Sequence, residues 1–285
     1  MVNKSKLPLL NILPFVQFHY SMGNDLIDYC DSEKDLGINI NGSLNFTFHS
    51  DMLYSKANQR FGLLKRTCHF VNNSNRKRVL FLTMVRCIFE HCPYVWRPTS
   101  ASSINKLESI QKRGVKWILS DANNYTKISY GTNYHLYLVH CKQLNILPIK
   151  FRFDYHDLKM FHSIVNGFSC VKMPDYIKPF QRARLRNSHL DSKCYISSIQ
   201  ARYTNRNFES VSQGNLSQSF FYRTHLLWNR LPIGLREIVR PSEFKKKLID
   251  HLWNNDIKHE YSMHMLDTID EPEHFSSDHE IFEFG

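Results

Sequence analysis

The sequence predicts a mainly α-helical protein: a short N-terminal β-hairpin, a three-helix bundle, then a second helical region carrying a long irregular basic segment. Three observations carry this prediction. Apolar and polar residues alternate only as far as Asn41-Gly42, and beyond about residue 50 the apolar residues recur at helical spacing. A polar stretch over 120–134 separates two sets of helical patterns. Residues 168–215 are rich in Pro, Ser, Asn and Arg and lack either period.

Residues 16–46 read as short extended pieces. Val16-Gln17-Phe18-His19-Tyr20 alternates, Met22-Gly23-Asn24-Asp25 is a turn, and Leu36–Ile40 alternates again before Asn41-Gly42, a strong hairpin signal. Leu53, Ala57, Leu64 and Cys68 then mark a first helix, with Ser50-Asp51 as its N-cap. A second helix runs from near Ser74 to about Glu90. Its Val79–Leu82, Val85, Ile88 and Phe89 surround most of the circumference, which predicts a central, buried position. A third, about 102–119, puts Ile104, Leu107, Ile110 and Trp117 on one side and Lys106, Lys112, Arg113 and Lys116 elsewhere. Short connections make the three a bundle.

After the 120–134 linker, a helix near 135–145 ends before Leu147-Pro148. Pro148 suits the first turn of the next helix, which stops at Asn166-Gly167. Two late helices follow, about 217–230 and 242–253, the second with Ser242 as N-cap. The divisions are therefore 1–49, 50–120, 135–253 and a tail over 254–285, expected to be disordered.

Charge is unevenly spread. The net of +11 conceals nine Asp or Glu against Lys258 alone in 254–285, a net of −8. The other 253 residues hold 36 Lys and Arg against 17 Asp and Glu, a net of +19. A body that basic implies a polyanionic partner, nucleic acid before an anionic membrane surface. Seven scattered cysteines without a CxxC pair argue against a zinc ribbon or a disulfide framework, and for thiols in a reducing compartment. No apolar run approaches a membrane span of roughly 18 residues. Lys4 and Lys6 before Leu7–Val16 faintly resemble a signal peptide, but Pro8, Asn11 and Pro14 interrupt it. A nuclear or cytoplasmic, non-secreted protein is expected, with no membrane partner. Its oligomeric state is left open.

The strongest functional signal is a one-sign stretch. Lys56, Arg60, Lys65, Arg66, Arg76, Lys77, Arg78 and Arg86 lie between Met52 and Phe89 with no acidic residue among them. Ordinary solvated helices mix both signs, because like charges at i, i+4 repel. A phosphate backbone is the ligand such a stretch fits, with Lys112, Arg113 and Lys116 of the third helix extending it. Arg182, Arg184 and Arg186, with Lys178, form a less specific cluster that equally suits a localisation patch or solubilising charge. Cys87, His91 and Cys92, with His135, His140 and Cys141, look more like core than metal ligands. GxSxG, HExxH and Gly-rich phosphate loops do not occur, nor does an adjacent Asp pair. Core packing is the default for Trp96, Trp117, Trp228 and Trp253.

Several stretches, in order, resemble the end of LINE-type, jockey-like non-LTR retrotransposon reverse transcriptases. They are Lys34–Ile38, Leu44-Asn45-Phe46 with His49, and Lys56-Ala57; then Gly62–Arg66, Met84-Val85-Arg86 and Glu90. Val95-Trp96-Arg97-Pro98 and Leu107-Glu108-Ser109-Ile110-Gln111-Lys112-Arg113 are the most telling. Asp157-Leu158, Phe161, Ile164–Gly167, Phe220-Phe221, Arg223, Trp228–Pro232 and Phe244-Lys245 continue the likeness, which covers about 16–253.

The resemblance implies a palm-end β-hairpin remnant, a thumb-like bundle and the post-thumb region. It also implies binding of template–primer duplex through backbone phosphates, with no cofactor. The family's aromatic-x-Asp-Asp centre would precede residue 16 and is absent, as is the endonuclease domain. Without those carboxylates nothing here holds the two metal ions of nucleotidyl transfer, so no catalytic residue and no enzyme activity are expected. His91 stands where a tyrosine is usual. Gly114 should weaken its helix by about 1 kcal/mol. The hairpin, deprived of the palm sheet, should present an open strand edge. The alternatives are a protein-interaction module or a transposon remnant without function. Nucleic-acid binding requires Lys56, Arg60, Lys65 and Arg66 to line one open surface with Arg76, Lys77 and Arg78.

Overall fold

The computed structural model describes residues 9–10, 21–22, 24–26, 29–120, 130, 134–179, 194–196 and 219–256. The Val16–Tyr20 alternation, Arg182, Arg184, Arg186 and the acidic tail beyond 256 lie outside them. The described part is mainly helical, with a short antiparallel hairpin near its start.

Four short strands come first. β1 (Leu9–Leu10) pairs in parallel with β4 (Tyr29–Cys30), and β2 (Ser21–Met22) pairs antiparallel with β3 (Asp25–Leu26) across the expected turn. The main hairpin joins β5 (Ser32–Asp35) to β6 (Ile38–Asn41), with Asp35 opposite Ile38. Its turn is therefore Leu36-Gly37, both at positive φ, and not Asn41-Gly42. Asn41-Gly42 forms the exit instead: Gly42 N donates to Asp31 O, and Asn41 Oδ1 accepts from Asn45 N.

The hairpin is tied to the helices through Asn39, which also donates Nδ2 to Met52 Sδ, and through Leu36. Asn39 N donates to His49 Nδ1 at 3.3 Å, and His91 Nε2 donates to Leu36 O at 3.1 Å. His91 thus links the hairpin turn to the bundle.

α1 spans Thr47–Thr67 and starts earlier than Ser50-Asp51. Asn45 Oδ1 accepts from both Thr47 N and Thr47 Oγ1, which turns the chain into the helix and leaves Ser50 buried within it. Leu53, Ala57, Phe61 and Leu64 form its buried row. α2 (Ser74–Met84) is capped by Asn73, whose side chain accepts from Arg76 N. The predicted helix to Glu90 breaks at Val85, and a 3-10 turn over Arg86–Phe89 completes it. A short α3 (Pro93–Trp96), unmarked in the sequence pattern, precedes α4 (Ala101–Leu119), which Ser100 caps through Ser103 N.

The three-helix bundle has a definite sense. Asp51 meets Lys106 and Asn58 meets Arg113, the same sequence offset each time, so α1 and α4 run parallel. α2 is antiparallel to α4, with Lys77 at α4's C-terminus and Phe81 over Gly114. A Cβ on Gly114 would overlap the Phe81 ring. Glycine is there for close approach of two helices, a gain that the expected loss of helix propensity conceals.

Beyond the linker come α5 (Tyr134–Gln143) and α6 (Ile149–Val165). α6 ends at Gly167 as expected, with Phe168 N donating to Ser163 O and Gly167 N to Ile164 O. The segment read as irregular contains a two-stranded antiparallel ribbon, β7 (Ile177–Pro179) with β8 (Cys194–Ile196). α7 (Phe220–Arg230), a short α8 (Ile233–Arg236) and α9 (Pro241–His251) follow. One apolar core runs through both helical regions, from Leu53 and Phe81 to Phe161, Trp228 and Phe244. No helix among the described residues is long and apolar enough to cross a membrane.

Candidate nucleic-acid interface

The parallel pair α1 and α4 decides where the basic residues point. On α1, Leu53, Ala57 and Leu64 face inward, which by helical period puts Lys56 and Arg60 on one flank, Arg66 outermost and Lys65 on the flank beside α4. Lys56, Arg60 and Arg66 are exposed, and Lys65 lies over the Phe61 ring at 5.8 Å. On α4, Arg113 turns to α1 and donates to Asn58 Oδ1. Lys112 turns to α5, its ammonium 5.3 Å from the Tyr134 ring centre and 5.5 Å from that of Tyr137. Lys116 lies between them on the solvent side.

The result is a band of cations across the outer surfaces of both helices. Its acids are accounted for. Asp51 is held by Lys106 at 2.7 Å. Glu108, the one acid of α4, is buried. Arg76 is exposed at the start of α2, beyond the C-terminal end of α4.

Three of the candidate residues turn inward, which corrects the expectation that they share the open surface. Lys77 is 4% exposed, and its ammonium donates to Ser120 O at 2.6 Å, capping the C-terminal carbonyls of α4. Arg78 donates Nε to Leu144 O at 2.5 Å and Nη2 to Asn145 O at 3.3 Å. Arg86 is 5% exposed and donates Nη2 to Leu147 O at 3.2 Å. Burial, then the nearby Arg152 guanidinium, pushes its pKa down to about 10. Lys77 thus holds the end of α4, and Arg78 and Arg86 hold the α5–α6 connection, so none of the three lines one surface with Lys56 and Arg60.

Sequence reasoning also missed the buried ionic groups that fix the helices. Glu108 accepts from the Tyr137 hydroxyl and, at 2.8 Å, from Ile149 N. Burial pushes this carboxyl up, against the pull of those two donors. Gln111 Nε2 donates to Leu147 O at 3.0 Å. Arg97 meets Asp154 at 2.7 Å and Asp157 at 2.8 Å, while Arg223 donates Nε to Asp157 at 2.9 Å. Trp96 donates its indole N–H to His91 O at 2.7 Å. Most of these residues belong to stretches on which the resemblance rests, and that was the available signal.

No family model, curated protein or solved structure matches the chain. Among the described residues no group of three or more His, Cys, Asp or Glu is placed to hold a metal ion. Cys87, expected to lie in the core, is exposed and donates its thiol to Thr83 O. Asp154 and Asp157 form a close carboxylate pair, but two guanidiniums already occupy it.

Proposed function

We propose that this chain is a non-catalytic nucleic-acid-binding module that grips the phosphate backbone through the outer surfaces of α1 and α4. In this reading it is the thumb and post-thumb part of a non-LTR retrotransposon reverse transcriptase, acting in the nucleus or cytoplasm. The wider surface that the sequence required, with Lys77 and Arg78 beside α1, does not form, and the reading rests instead on the parallel pairing of α1 and α4. That pairing puts Lys56, Arg60, Lys65, Arg66, Lys112, Arg113 and Lys116 on their outer surfaces, with their one accessible acid neutralised by Lys106.

Long flexible cations on rigid helices suit contacts with a charged, repetitive backbone, and each contact releases condensed counterions. Such contacts are cation-to-phosphate in kind, so readout of base sequence is not part of the proposal. The buried clusters at Glu108 and Asp157 hold the helices in place, and the bound phosphates meet only the outer cations.

The test is a fluorescence-anisotropy titration of the full chain with two DNA duplexes of unrelated sequence and an RNA–DNA hybrid. Affinities within a few-fold of each other, and no primer extension with Mg²⁺ or Mn²⁺, are expected. Binding to one sequence alone, or persistent extension through clean purification, contradicts the reading.

One feature favours the protein-interaction alternative. A cleft of about 450 Å³ between the hairpin exit, the α3–α4 turn and α7 is walled by Phe46, Val95, Pro98, Phe220 and Phe221. Binding through that cleft would persist in high salt, whereas backbone binding would not.

A further inference from the structure

The cations that turn away from the α1–α4 surface collect around a cavity. Arg78, Arg86 and Arg152 line it with Glu90 and Asn145, between α2, the 144–147 turn and the start of α6, and it measures about 240 Å³. Counter-charge is short. Among the described residues Glu90 is the one acid on its wall, facing three guanidiniums, which leaves those residues a net of +2. Arg152 already donates Nε and Nη2 to the two Glu90 oxygens, each at 2.8 Å. Burial alone would raise the Glu90 carboxyl, but His156, Arg152 and Arg86 together hold it well below the usual carboxylate range.

Arg78 donates to the Leu144 and Asn145 carbonyls and Arg86 Nη2 to Leu147 O, and one guanidinium donor is left over. Arg86 Nε lies 3.1 Å from Glu90 Oε1, an ion-pair distance, but is misdirected for a hydrogen bond and is buried with no hydrogen-bond partner among the described residues. The excess charge continues along α6. The pKa of Lys159 is lowered by burial, then by Lys245 and Arg152. Repulsion of this kind is relieved by an anion.

We propose that this cavity is an oxyanion site that takes a phosphoryl group. A doubly charged tetrahedral oxyanion matches the net charge and offers acceptors in several directions to planar guanidinium donors. A phosphate monoester carries both charges, while a backbone phosphodiester presents the same tetrahedral oxygens with one charge and leaves one positive charge uncompensated. Arg78, Leu82 and Arg86 form an i, i+4, i+8 row one position round from Lys77 and Phe81, which face the bundle. The site is thus separate from the α1–α4 surface, and each can fail without the other.

The experiment titrates the full chain with inorganic phosphate, by calorimetry at constant ionic strength made up with chloride. Saturable binding in the millimolar range or tighter is expected. Arg78→Gln should weaken it about tenfold, the effect of removing one charge-assisted hydrogen bond. Arg78→Lys should retain most of it. Glu90→Gln, which removes the counter-charge, should tighten it several-fold. Circular dichroism of each variant establishes that it is folded. Should neither variant fold, the wild-type titration against chloride still decides.

Phosphate binding no better than chloride would overturn the proposal. So would unchanged affinity in folded Arg78→Gln and Glu90→Gln. Competition separates the two sources. A 5′-hydroxyl oligonucleotide that displaces phosphate identifies the diester, and displacement by the 5′-phosphorylated form alone identifies the monoester.

Discussion

Gly114 bears on stability through the space it leaves. The Phe81 ring occupies the position of a side chain on Gly114, and it is itself fully buried and packed edge-on to Phe61 at 5.7 Å. Gly114→Ala gains about 1 kcal/mol of helix propensity but overpacks a core that has nowhere to relax, at about 1–3 kcal/mol. A net loss of stability in urea denaturation is expected, and a gain would show that α2 and α4 are not in close contact. Lys77 makes a related point about charge. Sequence reveals that a cation is present, and its row decides where it points: Lys77, Phe81 and Val85 fall at i, i+4, i+8, a buried line. The spacing of that row is legible in the amino-acid sequence, and it outweighs membership of a basic stretch.

At the scale of elements, the long helices are legible because their apolar rows keep a single phase. α2 misleads because apolar residues around most of its circumference hide the phase change at Val85. The hairpin turn misleads because Leu36 is a poor residue for positive φ, so Asn41-Gly42 looks the better turn. The four-residue helices α3 and α8 are too short to show a period.

Two substitutions probe how the elements are joined. Asp157, 0% exposed, holds both Arg97 and Arg223 and so joins α3, α6 and α7. Asp157→Ala leaves those guanidiniums without their shared acceptor and should cost about 3–5 kcal/mol in chemical denaturation. A cost within about 0.5 kcal/mol, that of a surface change, would contradict the clamp.

The second concerns the hairpin's seat on α1. Burial, then the charges of His91 and Lys34, lowers the His49 pKa to about 4. Between that value and the ordinary 6.5 the unfolded chain binds the extra proton. The contribution of His49 to stability is therefore complete above pH 6.5 and lost as pH falls towards 4. His140, His156 and His162 are shifted the same way by burial and add to the trend. Thermal midpoints should fall across that window, and His49→Gln should flatten the fall. An equal slope in the variant would show that His49 is not the group responsible.

For the whole molecule, charge is the property that sequence conveys best and places worst. The body's net of +19 prompts the proposal of a polyanionic partner, but only part of that charge faces outward from α1 and α4. Arg78, Arg86 and Arg152 are drawn inward around Glu90, and Arg97 and Arg223 around Asp154 and Asp157. Such pairs depend on residues far apart in the chain, and no local pattern marks them. Exposure and helix direction, which only the fold supplies, define the candidate surface.

The central claim is that the outer cations of α1 and α4 hold a phosphate backbone, and the salt dependence of binding tests it most directly. The full chain and a variant with Lys56, Arg60, Arg66 and Arg113 all changed to Gln would be titrated against two unrelated duplexes over a range of salt. The slope of log K against log salt concentration should flatten by roughly 0.9 for each duplex phosphate no longer neutralised, equally for both sequences. An unchanged slope, or a weakening confined to one duplex, would contradict the claim.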